Sequence, residues 1–146
     1  MLAQTAHRLG LGALTLLALS VAGCDDTGRR HPVDGQVLLD AKPLKGVRGT
    51  VRFVPDTGKG NTSPHAAAGD LDAEGRYKLS TNGRTGAPAG WYKVIVTAVP
   101  PGTSDQDAVK RPVLHSRYAD EKSTPLTVEV VSAATPGAYD LKVTRN

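Results

Sequence analysis

The chain of 146 residues carries 18 Lys plus Arg against 14 Asp plus Glu, a net charge of only +4. The signs are interspersed, and no run of five or more like charges is present, so a nucleic-acid-binding arm is excluded as a function class. One cysteine excludes an internal disulfide, and sixteen Gly with ten Pro against one Phe and one Trp predict many turns and short strands rather than long helices.

The first stretch reads as an address. Met1 to Arg8 is short and basic at Arg8, and Leu9 to Ser20 is almost wholly apolar. An apolar run of about 15 residues falls short of the ~20 that span a bilayer as a stable helix. A basic start, a short apolar middle and a small-residue exit are the parts of a secretory signal. The exit, Val21-Ala22-Gly23-Cys24, resembles the bacterial lipobox. That resemblance implies cleavage before Cys24 and covalent attachment of diacylglyceryl and N-acyl lipid to it, with no other cofactor. The chain then divides into a lipoprotein signal peptide (1–23), a lipidated cysteine with a flexible tether (24–32) and a folded domain (33–146). The expected location is the cell envelope, anchored to a bacterial membrane on its periplasmic face or at the cell surface. Removing the signal leaves about 120 residues, enough for one domain with a modest core.

In the domain, Val33 to Leu39 reads as a first strand with Val33, Val37 and Leu39 in alternate register, followed by a turn at Asp40–Pro43. Gly49 to Val54 alternates Val51 and Phe53 with Thr50 and Arg52, the period of a half-buried strand. Residues 55–64 are loop by composition, and Ala66 to Gly69 is a short third strand. Asp70-Leu71-Asp72-Ala73-Glu74-Gly75 resembles the start of a calcium loop, with oxygens at Asp70, Asp72 and Glu74, but Thr81 stands where the bidentate Glu is required. A tight turn, with acidic side chains capping amides and Gly75 at positive φ, fits better. Arg76 to Ser80 leaves as a strand with Tyr77 and Leu79 inward, and residues 81–90 form a second loop.

Trp91 to Val99 is the strongest strand, with Tyr92, Val94, Val96 and Ala98 on one face. Residues 100–125 show no clear period, and loops of that length are often functional. Asp105, Asp107, Lys110, Arg111, His115, Arg117 and Tyr118 are therefore the expected binding-loop residues. Leu126 to Val130 and Ala138 to Thr144, with Tyr139, Leu141 and Val143 inward, close the domain. About seven short strands with one polar face pack as two sheets around a shared apolar layer. The expected fold is all-β: an antiparallel Greek-key sandwich of immunoglobulin or transthyretin type.

Several motifs point the same way. Val33-Asp34-Gly35-Gln36-Val37 leading to Lys42-Pro43-Leu44 resembles the opening of carboxypeptidase-regulatory-like, transthyretin-like β-sandwich domains, as do Val51-Arg52-Phe53 and Asp72-Ala73-Glu74-Gly75-Arg76-Tyr77-Lys78-Leu79. The segments 86–96 and 123–128 resemble small bacterial lipoproteins built on that sandwich. The resemblance implies a fold and an envelope location; it does not imply peptidase activity. Transthyretin-like hydrolases end in Tyr-Arg-Gly-Ser, whereas this chain ends Val143-Thr144-Arg145-Asn146.

Chemistry is sparse. His31, His65 and His115 have no close His or Cys partner, so no metal-ligand spacing is present. No Gly-x-Ser-x-Gly elbow and no phosphate-cradling loop occurs. The sequence favours a non-enzymatic structural or binding module that recognises an envelope protein, a glycan or a second copy of itself. The alternative is a small hydrolytic or metal-dependent enzyme built on His65, His115 and the Asp105/Asp107 pair.

Overall fold

A computed structural model of the protein describes residues 28–108 and 112–145. The fold is all-β, two layers of sheet around one apolar interior. Cys24 and the signal segment lie outside the described residues, as do Lys110 and Arg111.

The first layer is built on β10 (Gly90–Val99), the strand the alternation of residues 91–99 predicts. It pairs antiparallel with β4 (Arg48–Pro55) from Tyr92↔Pro55 to Val99↔Arg48. β11 (Thr127–Val130) flanks β10 on one side, and β5 (Ala67–Asp70) flanks β4 on the other. The short strands β7 (Ser80–Thr81) and β8 (Arg84–Thr85) complete six strands in the order β11-β10-β4-β5-β7-β8. The second layer is built on β2 (Asp34–Leu39), which pairs with β3 (Lys42–Pro43), β6 (Arg76–Lys78) and β12 (Leu141–Val143). Val51, Phe53, Tyr92, Val94 and Val96 from the first layer meet Val37, Tyr77, Leu141 and Val143 from the second in one buried cluster. Burying side chains of this size stabilises by roughly 1.5–3 kcal/mol each.

The structure departs from the expected strands in four places. Arg30–His31 forms a strand, β1, paired with β9 (Ala87–Pro88), so the flexible tether expected over 24–32 gives way to folded chain by Arg30. Gly86 allows this, because a Cβ there would stand 2.3 Å from the carbonyl oxygen of His31. The 81–90 loop holds real pairing: Asn82 and Gly83, both at positive φ, turn β7 into β8. The strand expected over 76–80 changes sheet, since β6 pairs with β2 and β7 with β5, and the fully buried Leu79 lies at the crossing. Finally, β12 runs parallel to β2 where the expected sandwich is antiparallel. The connection over 131–140 passes from one sheet to the other, so β12 enters beside β2 already heading the same way.

The turn between β2 and β3 stores strain, with Asp40 at φ +50 and Ala41 at φ +68. With both central residues left-handed this is the type I′ kind of two-residue hairpin turn, and glycine takes that conformation without the ~1 kcal/mol penalty of a Cβ. Ala41→Gly is therefore expected to leave the melting temperature unchanged or raise it by up to about 4 °C, read by calorimetry. Interior helix or strand positions changed to glycine would lower it.

Tyr77 ties the second layer to the chain's end. Its ring is 3% exposed, and its hydroxyl donates to the carbonyl of Tyr139. Burial raises its pKa far above the usual phenol range, with the nearby Asp140 and Asp34 carboxylates adding to the rise. A raised folded-state pKa means full stabilisation below the unfolded value of about 10 and loss as pH climbs beyond it. Urea unfolding across alkaline pH should show stability falling by up to about 1.4 kcal/mol per pH unit above pH 10. Tyr77→Phe should flatten that slope while costing about 1–3 kcal/mol at neutral pH, because the Tyr139 carbonyl loses its donor.

Candidate functional site

The chain enters the sandwich at Gly28–Arg30, beside β9 and the start of β10; this end is termed proximal. The distal end lies at Arg48 and Val99, where β4 begins and β10 finishes. A cleft of about 520 Å³ opens at the distal end. Its floor is apolar, made by Leu71, Val96, Ala98 and Leu114, and its lining includes Arg48, Asp70 and His115. Gly49 also lines it, and its missing side chain matters: a Cβ there would stand 2.2 Å from the Thr97 carbonyl oxygen and 2.9 Å from Leu71.

One wall of the cleft comes from the long loop, which is folded from residue 112 onward into a strap across the sandwich. The Val113 amide donates to the Ala98 carbonyl on β10 at 2.9 Å, and Leu114 bridges to Arg145 just beyond β12. A 3₁₀ turn at Ser116–Ala119 follows, and His115 caps it by accepting from the Arg117 amide through Nδ1 at 3.2 Å. Tyr118 points inward, 4% exposed, and its hydroxyl lies 3.2 Å from both the amide and the hydroxyl of Thr144. The strap thus joins both sheets, which fixes the wall against the floor.

The expected binding-loop residues divide accordingly. His115 lines the cleft. Arg117 is exposed, 5.8 Å from the Tyr118 ring centre. Tyr118, expected among the binding-loop residues, is buried, and its ring joins the apolar cluster. Asp107 is exposed and accepts from the Ser104 hydroxyl at 2.8 Å, stabilising the single helical turn Asp105–Ala108. Asp105 belongs to that turn, and its side chain, like Lys110 and Arg111, lies outside the described residues. Arg48, Leu71, Val96 and Ala98 were not expected as site residues: Val96 and Ala98 lie on the inward face of β10, Leu71 follows β5 directly, and Arg48 is an exposed residue at the start of β4. The signal in the loop was the apolar pair Val113–Leu114 followed by Tyr118, spacing that asks for burial.

The arrangement separates the histidines. His31 is buried on β1 at the proximal end, His65 is exposed on the proximal connection between β4 and β5, and His115 is distal. β4 alone, eight residues long, puts about 23 Å between those ends. His65 and His115 therefore do not share a site. The Nδ1 of His115 accepts the Arg117 amide, so only Nε2 is left for another partner.

A second concavity of about 630 Å³ is lined by Asp34, Asp70, Asp72, Arg76, Lys78 and Asp140 among others. Two of its carboxylates, Asp72 and Asp140, serve the backbone. Asp72 accepts from the amides of Glu74 and Arg76 at 3.0 and 2.8 Å, and Asp140 from the amide of Gln36 at 2.9 Å. With Gly75 at φ +75, this is the tight turn the sequence predicts. Among the described residues no group of three or more His, Cys, Asp or Glu could hold a metal ion, the Asp70–Gly75 turn included. Nor, among them, is any helix long and apolar enough to cross a membrane.

No family model, curated protein or solved structure matches the chain.

Proposed function

We propose that the protein is a lipid-anchored β-sandwich of the bacterial cell envelope, of carboxypeptidase-regulatory-like, transthyretin-like type. It acts as a binding module rather than an enzyme, and the distal cleft is its recognition surface. The observation that carries this reading is the polarity of the domain. The chain leads from Cys24 into the proximal end at Arg30, while the cleft opens at the other end of β4 and β10. A lipid on Cys24 would hold the proximal end toward the membrane and turn the cleft away from it. The lipobox-like Val21-Ala22-Gly23-Cys24 and the chain's single cysteine support the anchor. The apolar floor, edged by Arg48, Asp70 and His115, supports recognition of a largely apolar group.

Two measurements test the reading. Mass spectrometry of the native protein is expected to find Cys24 as the first residue, carrying diacylglyceryl and acyl groups; an unprocessed amino terminus overturns the anchor. Capture from envelope extract is expected to retain a partner with the wild-type chain and lose it with Ala119→Trp, which fills the exposed side of the cleft. Equal capture by a folded Ala119→Trp variant overturns the cleft as the recognition surface.

A further inference from the structure

We infer that Asn82 is a site of spontaneous covalent modification: the Gly83 amide nitrogen closes on the Asn82 side chain, and the tip between β7 and β8 passes from asparagine to aspartate and isoaspartate.

Ring closure needs an accessible carboxamide, an unhindered amide nitrogen on the next residue, and a chain free to bring the two together. Asn82 and Gly83 are both exposed. Among the described residues neither the Asn82 side chain nor the Gly83 amide makes a hydrogen bond. Gly83 has no Cβ beside its nitrogen, and no atom beyond its chain neighbours lies within 4 Å of where one would stand. At φ +50 and +71 the two residues hold the closed turn, so the nitrogen reaches the carboxamide when the tip opens. That opening is local. β7 and β8 are two residues each, β8 is an outer strand of its sheet, and Arg84 and Thr85 are exposed. Short, solvated pairing of this kind belongs to the low-stability end of a fold.

Asn61 is the contrast within the same chain. It is 5% exposed, its amide donates to the Trp91 carbonyl at 2.8 Å, and its oxygen accepts from the Ser63 amide at 3.0 Å. The branched Thr62, rather than a glycine, follows it.

The atoms balance with water as the sole co-reactant. The Gly83 nitrogen attacks Cγ of Asn82, forming a new C–N bond. The bond from Cγ to the side-chain nitrogen breaks, and ammonia leaves with the proton that Gly83 gives up. The cyclic imide then takes up water. Hydrolysis at Cγ gives aspartate. Hydrolysis at the main-chain carbonyl gives isoaspartate, whose backbone runs through Cβ and Cγ and is longer by a methylene. A two-residue turn has no slack for that atom, so the Thr81↔Arg84 pairing is lost.

The test is incubation of the purified full chain at mildly alkaline pH in water enriched in heavy oxygen, followed by peptide mapping. Heavy oxygen is expected at position 82, as aspartate and isoaspartate, at least about tenfold faster than at Asn61, whose hydrogen bonds must break first. Amide exchange of the isoaspartate product should show lost protection at Arg84. Gly83→Ala should react more slowly than wild type. That substitution strains the turn and favours its opening, so a slower reaction isolates the hindrance of the added Cβ at the nitrogen. Position 82 unchanged in the folded chain, while the urea-unfolded chain converts, overturns the proposal. So does conversion of Asn61 at the rate of Asn82, or a Gly83→Ala variant that reacts as fast as wild type.

Discussion

Phe53→Ala is expected to cost about 3–5 kcal/mol, the cost of truncating a fully buried aromatic side chain. Phe53 is 0% exposed on β4, and its ring lies 6.2 Å from the Tyr77 ring centre and 5.8 Å from that of Tyr92. Tyr77 belongs to one sheet and Tyr92 to the other, so this single ring joins the two layers. No disulfide is available to compensate in a chain with one cysteine. Domains of this size have total stabilities of about 5–15 kcal/mol, so the loss is a large share of the whole. Calorimetry should show a melting temperature lower by about 12–20 °C. A change under about 1 kcal/mol would mean that the sheets are held together elsewhere.

Gly86→Ala is expected to be nearly as damaging, for a different reason. Gly86 has φ +92, and an added Cβ would stand 2.3 Å from the backbone oxygen of His31, which cannot move without opening β1. The residue's own amide donates to the Leu79 carbonyl at 2.8 Å, and its carbonyl accepts from the Thr81 hydroxyl at 2.8 Å. Strain plus clash at an over-determined position should cost about 2–4 kcal/mol. Gly83 supplies the control. It has φ +71 but open space around its Cβ position, so Gly83→Ala should cost only about 1 kcal/mol. Hydrogen exchange should show early loss of protection at His31 and Ala87 in the Gly86 variant and none in the Gly83 variant. Equal stabilities for the two variants would falsify the idea that β1 is clamped by close backbone approach.

Much of the domain was legible because a strand's period is two. Val51 and Phe53 face in while Thr50 and Arg52 face out, and the same alternation carries β10. The turn at Asp72–Gly75 was legible too, since an acidic side chain two residues before its amide partner closes the turn locally. The short strands β7, β8 and β9 were not. Each is two residues long, too short to show a period, and β9 pairs with β1, more than fifty residues earlier in the chain. The crossing at Leu79 was hidden because both sheets want the same inward register on either side of it. The burial of Tyr118 is hidden for a related reason: loop composition surrounds it, and the core it joins and the Thr144 partner of its hydroxyl come from distant parts of the chain.

The site divides in the same way. His115 was legible as a polar residue in a long loop, but Arg48 and Asp70 were not, because strand ends carry charges in any sheet protein. By itself the amino-acid order determined the all-β class, the inward faces of the main strands and the lone cysteine that follows the apolar segment, since each depends only on local spacing or residue type. The tertiary structure alone decided that β12 runs parallel to β2, that the strap packs its tyrosine inward, and that Arg48 and His115 border one cleft. Those outcomes turn on contacts between residues tens of positions apart, where no local period carries the information.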